Sequence, residues 1–412
     1  MTAPGASPRP MPRVLLVSRS LPCHVAGGLE FHVVELARAL ARRGLAVDVL
    51  TTPLPPGGEP RLTEPGLSVH EVLGAPPGRY SIRYFRLVGP RIEQLNAEIG
   101  YDVIHGHEFG FGFWRPPPGF GPRLVLSVHG TLLSETPLDP GVFPGLSLGL
   151  KVWAVARFGR RWLYGPWWRR SLGRADLLLV DSDFTLGELE RLDARLLPRL
   201  RRVRLGLAED ELPAIDRVAA RAALGWGDQP SEGPVLITVG RLEWQKGHDL
   251  ALKALARLKD RPWRYVIVGE GGRQRRLKAL ARRLGLADRV EFTGRAPQPL
   301  KLRLLAAADV FVWPERTHPA FGLVGLEALA MGTPVLAARR GAIAELIEPG
   351  GGWLFDANDE GALVAALENV LSETERRKID RAALRASILS RFNARTMSEG
   401  VHAAYAELLG GD

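Results

Sequence analysis

The short apolar run Arg13-Val-Leu-Leu-Val-Ser18 leads through a loop at Gly27-Gly28 into the helically spaced segment Leu29–Arg43, and then into a second run, Val47–Thr51. Apolar positions at Val33, Ala37, Leu40 and Ala41 give the middle segment one buried face, and Gly44 ends it as a C-cap does. A strand–loop–helix–strand unit of this kind closes as a parallel pair with a right-handed crossover. Parallel strands need cover on both faces, so the chain is committed to a layered α/β architecture. Further strands are expected at Ser68–Val72, Asp102–His105, Leu124–Val128 and Asp176–Val180.

The alternation starts again after the Pro/Glu/Gly-rich stretch Gly227–Pro234. Strands are expected at Val235–Val239, Arg264–Val268, Val290–Thr293, Val310–Trp313 and Pro334–Ala337, with helices at Asp249–Leu258, Leu300–Ala307 and Gly322–Ala330. Residues 357–410 read as mostly helical. With 412 residues, the chain is long enough for two domains. The reading is two Rossmann-like domains, residues 13–206 and 207–393. A terminal helix within 394–412 returns to the first domain, and 1–12 form a Pro/Ala/Gly-rich tail without the apolar core of a signal peptide. Ligands prefer the cleft between two such domains.

Several function classes drop out. One cysteine, Cys23, excludes a disulfide framework and any multi-cysteine metal site, and fits a reducing, cytoplasmic setting. No phosphate loop of the GxxxxGK[ST] kind is present, and Gly269-Glu-Gly-Gly-Arg-Gln274 lacks the third glycine of a dinucleotide fingerprint. The formal net charge of +10 is lopsided: residues 1–204 hold 26 Lys/Arg against 18 Asp/Glu, while the remainder holds 29 against 27. Such a field attracts anionic partners without naming them. Within Lys151–Arg174, seven basic residues and no acid are interleaved with Trp153, Phe158, Trp162, Tyr164, Trp167 and Trp168. That composition suits either an ordinary amphipathic helix or weak contact of 151–170 with a membrane surface.

Three loops carry the chemistry. Gly27 and Gly28 open a helix directly after a strand, where backbone N–H groups can approach an anion; a plain tight turn is the alternative. Arg241 and Lys246, five apart after another strand, can clamp a diphosphate through planar bidentate and compact charges; solvated surface cations are the alternative. The stretch Trp313–Val335 begins a second helix near Gly322-Leu323, with Glu327 near its second turn as a partner for ribose hydroxyls or as a helix-surface carboxylate. His105 and His107 form a His-x-His at a strand end, read as structural and not as metal ligands.

Together these segments resemble glycosyltransferase family 4, the retaining nucleotide-sugar transferases of GT-B fold. The resemblance is carried by Gly27-Gly-Leu-Glu30 with its helix, Asp102-Val-Ile-His-Gly-His107, Val128-His-Gly130, Gly240-Arg-Leu…Lys246-Gly247, Ala308–Pro314 and Phe321-Gly-Leu-Val-Gly-Leu-Glu327. It spans roughly residues 13–405. The resemblance implies a metal-independent hexosyltransferase that moves a sugar from a UDP- or GDP-type donor to an acceptor hydroxyl, without a cofactor. It implies that Arg241 and Lys246 stabilise the departing diphosphate and that His129 reaches the donor sugar. Glu327 would hold the ribose, and Gly27, Gly28, Phe321, Gly322, Leu323 and Val324 would face the donor through their backbone.

One departure stands out. The family pattern places a first glutamate at position 319, where this chain has Pro319 preceded by His318. His318 is then the candidate for the donor-sugar contact. The departure also keeps open a non-catalytic nucleotide-sugar-binding protein, beside a phosphorylase or synthase of the same fold. The basic first half favours an anionic or lipid-linked acceptor over nucleic acid, and an enzyme that is cytoplasmic or held at a membrane surface.

Overall fold

The computed structural model describes residues 11–25, 27–131, 165–227, 233–348, 350–357 and 359–410. Most of the aromatic and basic segment 151–170 therefore lies outside the described residues, which resume at 165.

The first half folds around a seven-stranded sheet in the order β3-β2-β1-β4-β5-β6-β7. Its strands are β1 (Arg13–Val17), β2 (Ala46–Thr51), β3 (Leu67–Glu71), β4 (Val103–His107), β5 (Arg123–Val128), β6 (Leu177–Val180) and β7 (Leu200–Arg202). The second half holds a six-stranded sheet in the order β10-β9-β8-β11-β12-β13. These strands are β8 (Val235–Val239), β9 (Arg264–Val268), β10 (Val290–Gly294), β11 (Val310–Trp313), β12 (Val335–Ala338) and β13 (Gly352–Phe355). Neighbouring strands pair in parallel in both sheets. The two-domain α/β class expected from the alternation is the class observed.

Alternation along β1 shows how the cores divide. Leu15 and Val17 enter one apolar cluster, and Val14 and Leu16 enter the cluster on the opposite face. In β8, Val235 and Ile237 face one side and Leu236 the other. Two-sided burial is what permits strands with almost no polar residues. The short edge strands β7 and β13 had no such run to betray them: Leu-Arg-Arg and Gly-Trp-Leu-Phe are half exposed.

The chain crosses between the halves twice, and the two crossings touch. Leu207 N donates to Phe392 O (3.0 Å) and Ala394 N donates to Leu207 O (2.9 Å). Gly206 is required here, because a Cβ would lie 2.3 Å from the Asn393 carbonyl oxygen. Beyond the crossing, helix Ala394–Leu408 lays Met397, Val401, Ala404 and Tyr405 into the cluster that holds Val14, Leu16 and Val33. The fully buried Tyr405 hydroxyl lies 2.6 Å from His105 Nδ1 on β4. The last helix thus belongs to the first sheet and ties the two halves at their base.

Tyr405→Phe removes one member of a buried polar pair and leaves the imidazole nitrogen unmatched, at a cost of about 1–3 kcal/mol. Urea denaturation of the full chain should show a lower midpoint for this variant. An unchanged midpoint would contradict the tie.

Candidate active site

Both sheets reverse strand order between the first strand and the fourth, and the loops leaving those strands meet in one cleft. A cavity of about 440 Å³ lies there, lined from the first domain by Gly28, His32, Glu108, His129 and Asp181, and from the second by Arg241, Lys246, His318, Phe321, Gly322 and Leu323. Open parallel sheets bind ligands at this kind of switch point.

Two helix N-termini face each other across it. Helix Gly28–Arg42 starts from an extended Gly27 without a side-chain cap, and helix Leu323–Ala330 starts from Gly322, also uncapped. A Cβ on Gly28 would stand 3.2 Å from Leu323 Cδ1, so the two starts are in near contact. At Gly322 the φ of +108° and a Cβ position 2.0 Å from the Trp313 ring both demand glycine. Uncapped first-turn N–H groups and the dipole make such ends receptive to anions.

The cationic side is built on a buried acid. Glu315, 1% exposed, accepts from Lys246 Nζ (2.8 Å) and Trp313 Nε1 (3.3 Å) on one oxygen, and from Thr317 Oγ1 (2.7 Å) on the other. A buried carboxylate requires such partners. Gly247, at φ +66°, lets the backbone pass the Pro314 carbonyl, where a Cβ would fall 1.8 Å from the oxygen. The loop after β8 and the loop after β11 therefore fix each other, and Lys246 is held at the wall beside Arg241.

The opposite wall is a stack of imidazoles. His107 Nδ1 lies 3.1 Å from His129 Nε2, and the two rings stack at 7°. His32, one turn into its helix, meets His129 edge-on at 4.7 Å. Asp181 Oδ2 stands 3.6 Å from His129 Nδ1. His32, His107 and His129 each offer a ring nitrogen within 4.8 Å of the others, which is the only group of three or more metal-type side chains among the described residues.

Not every sequence candidate reaches the cavity wall. Gly27, Val324 and Glu327 are absent from the lining. Gly27 stands behind Gly28 against Glu30, whose oxygen a Cβ would meet at 2.3 Å. Glu327 accepts from Lys301 Nζ (2.7 Å) and Gln298 Nε2 (3.3 Å). His318 lines the cavity, but its Nδ1 accepts from Gly341 N (3.2 Å) and its ring stacks on Phe184 of the first domain at 5.8 Å. Glu315, His32 and Asp181 have roles that residue type alone does not mark: each depends on a partner distant in sequence. His32 had a signal, since a position four beyond Gly28 lies one turn along the same helix face.

The family models agree with this architecture. The model described as Glycosyl transferases group 1 matches residues 227–385, and that described as Glycosyltransferase Family 4 matches residues 26–201. The D-inositol 3-phosphate glycosyltransferase of Acidothermus cellulolyticus is 31% identical over 94% of this chain and 87% of its own length. A second enzyme of that name from Catenulispora acidiphila is 31% identical over 85% of this chain and 83% of its own. The chain belongs to the family 4 glycosyltransferases. Solved structures carry the same GT-B fold. Sucrose-phosphate synthase from Thermosynechococcus elongatus superposes with a TM-score of 0.75 at 22% identity, covering 97% of this chain and all of the other. Anabaena Alr3699/HepE in complex with UDP-glucose gives 0.68 at 22% identity, covering 97% and 99%.

In this glycosyltransferase burial opposes protonation of His32 and His107 in the histidine wall. Burial, and then the neighbouring imidazoles, hold His32 and His107 well below the usual value, and burial followed by His129 takes His105 to about 3. Burial also takes His248 to about 4, against the opposing contact with the Arg241 carbonyl. A lowered imidazole pKa favours the unfolded state once that state takes up protons. Stability is therefore full above the ordinary value of 6.5 and falls as pH drops below it, until the folded-state values are reached. Each such imidazole contributes a slope of about 1.4 kcal/mol per pH unit in that window. His105→Gln should reduce the measured slope by about one proton between those limits, read from urea denaturation at a series of pH values. An identical slope in the variant would contradict the buried neutral imidazole.

Proposed function

We propose that this glycosyltransferase moves a hexosyl group from a nucleoside diphosphate sugar, of UDP or GDP type, to a hydroxyl of an anionic acceptor, with retention at the anomeric carbon and without a metal. The observation that carries the reading is the convergence on one cavity of Arg241, Lys246 and the uncapped helix start at Gly322 from the second domain with the uncapped start at Gly28 and His129 from the first. The bond between the anomeric carbon and the diphosphate oxygen breaks, and charge builds on the departing diphosphate. Fixed cations and backbone amides aimed there stabilise that charge more in the transition state than in the ground state. The acceptor oxygen attacks from the face the diphosphate leaves, and its proton passes to the leaving phosphate oxygen. His129 contacts the donor sugar, and Glu327, which Lys301 and Gln298 hold outside the cavity lining, takes the ribose hydroxyls where the donor's nucleoside extends beyond that lining.

The anionic acceptor is supported by two facts. The first 204 residues carry the charge excess, and the curated relatives are named for D-inositol 3-phosphate. The UDP-glucose in the Anabaena structure supports a nucleotide-sugar donor. The loop is anchored at Pro319, whose carbonyl accepts from Ala342 N at 2.9 Å.

The test is a donor screen with inositol 3-phosphate and other anionic polyols as acceptors, with products read by mass spectrometry. Arg241→Ala and Lys246→Ala should each lower turnover by a barrier of about 2–4 kcal/mol. Glu327→Ala should raise the KM for donor more than it lowers kcat. Wild-type turnover in both cation variants would overturn the assignment. Tight nucleoside diphosphate binding with neither product nor donor hydrolysis would instead identify a binding protein.

A further inference from the structure

Three separate stretches of the first domain, 72–92, 109–123 and 165–175, contain nine arginines and not one aspartate or glutamate. They are distant in sequence and adjacent in space. Helix Ile82–Ile99 admits the Trp114 indole at Gly89, where a Cβ would come within 2.2 Å of the ring. Phe85 packs on Phe113 at 4.9 Å, and Phe113 on Trp167 at 3.7 Å. Arg174 Nη1 donates to the Trp114 carbonyl at 2.5 Å. Burial, then Arg115 and Arg170, lower the Arg174 guanidinium pKa.

Apolar side chains stand out from this basic face. Leu73 is 73% exposed, Ile82 67% and Trp167 38%. Leu73 is held beside the helix start, since a Cβ on Gly74 would touch Leu87 Cδ1 at 3.6 Å and Arg83 Nε at 3.9 Å. Arg79, Arg83, Arg86, Arg115, Arg169 and Arg170 are exposed around them.

We propose that this face docks on an anionic lipid bilayer, with the arginines at the headgroups and Leu73, Ile82 and Trp167 at the acyl boundary. Charge complementarity selects an anionic surface, and the protruding apolar residues select a bilayer over nucleic acid, which offers them nothing to enter. The contact is peripheral, since no helix among the described residues is long and apolar enough to cross a membrane. The face also adjoins the cleft. Tyr80, between Arg79 and Arg83, donates from its hydroxyl to the His107 carbonyl (3.3 Å), and the Arg19 guanidinium lies 4.5 Å over its ring and 3.9 Å from cavity-lining Glu108. A bilayer on this face brings an acceptor carried in the membrane to the first-domain side of the cavity.

Vesicle flotation with the full chain tests docking independently of any catalytic reading. Vesicles with about 30 mol % phosphatidylglycerol should float the protein, and phosphatidylcholine alone should not. R83E/R86E should lower the bound fraction about tenfold or more, and R170E, on a different element, should lower it as well. L73S/I82S leaves the charge unchanged and should still weaken binding about threefold or more. Melting midpoints equal to wild type show that these exposed substitutions act at the surface; a variant with a lowered midpoint is replaced by its single substitutions. No flotation on either vesicle, or equal flotation on both, would overturn the proposal. So would binding that L73S/I82S leaves intact while duplex DNA is retained as strongly as vesicles, since that pattern describes a charge-only surface.

Discussion

A parallel sheet gathers the loops that can do chemistry at the carboxyl ends of its strands, and this chain turns two such ends toward each other. Everything at the cleft follows from that constraint. Gly28 and Leu323 approach because both helices start at strand ends that face one another, and a Cβ at position 28 would press on Leu323 Cδ1 at 3.2 Å. The approach is reinforced at the rim. Glu345 of the second domain accepts from the backbone of Asp183 (3.0 Å) and Phe184 (2.7 Å), the first residues of a helix in the first domain. At the base, the crossings at Leu207 and Asn393 pair with each other, so the halves are joined at two levels with the cavity between them.

Within the cavity the two walls have opposite electrostatic character, and each depends on burial. The second-domain wall holds its charge: Glu315 is buried, and the hydrogen bonds that make its burial tolerable also fix Lys246. In the first-domain wall, burial and then the neighbouring imidazoles oppose protonation of His32 and His107, beside the carboxylates of Glu108 and Asp181. Under the proposed function, a diphosphate is drawn to the cationic second-domain wall and the sugar faces the imidazoles of the first-domain wall. That division follows from which acids and bases are paired, and the number of charged residues does not decide it.

Much of the fold was legible in the sequence because parallel strands buried on both faces leave continuous apolar runs, as Val14–Val17 and Val235–Val239 do. The edge strands β7 and β13 left no such trace, since one side of each meets solvent. The candidate site was legible where glycines open a helix after a strand, at Gly28, where backbone geometry forces glycine, at Gly322, and where cations follow a strand, at Arg241 and Lys246. It was opaque where a role depends on a distant partner. Nothing in the local sequence says that Glu315 meets Lys246, sixty-nine positions earlier, or that Asp181 approaches His129. For the same reason the basic face could not be seen as one surface from segment 151–170 alone: its arginines come from three elements that only packing brings together.

The central claim is that the two walls act on one glycosidic phosphate bond, with attack from the side the diphosphate leaves. The anomeric configuration of the product tests it most directly. Proton NMR of the product formed from an α-linked nucleotide sugar should show an α linkage, released together with nucleoside diphosphate. A β linkage would contradict same-face attack in this cleft and require the acceptor to enter from the side of the sugar opposite the diphosphate.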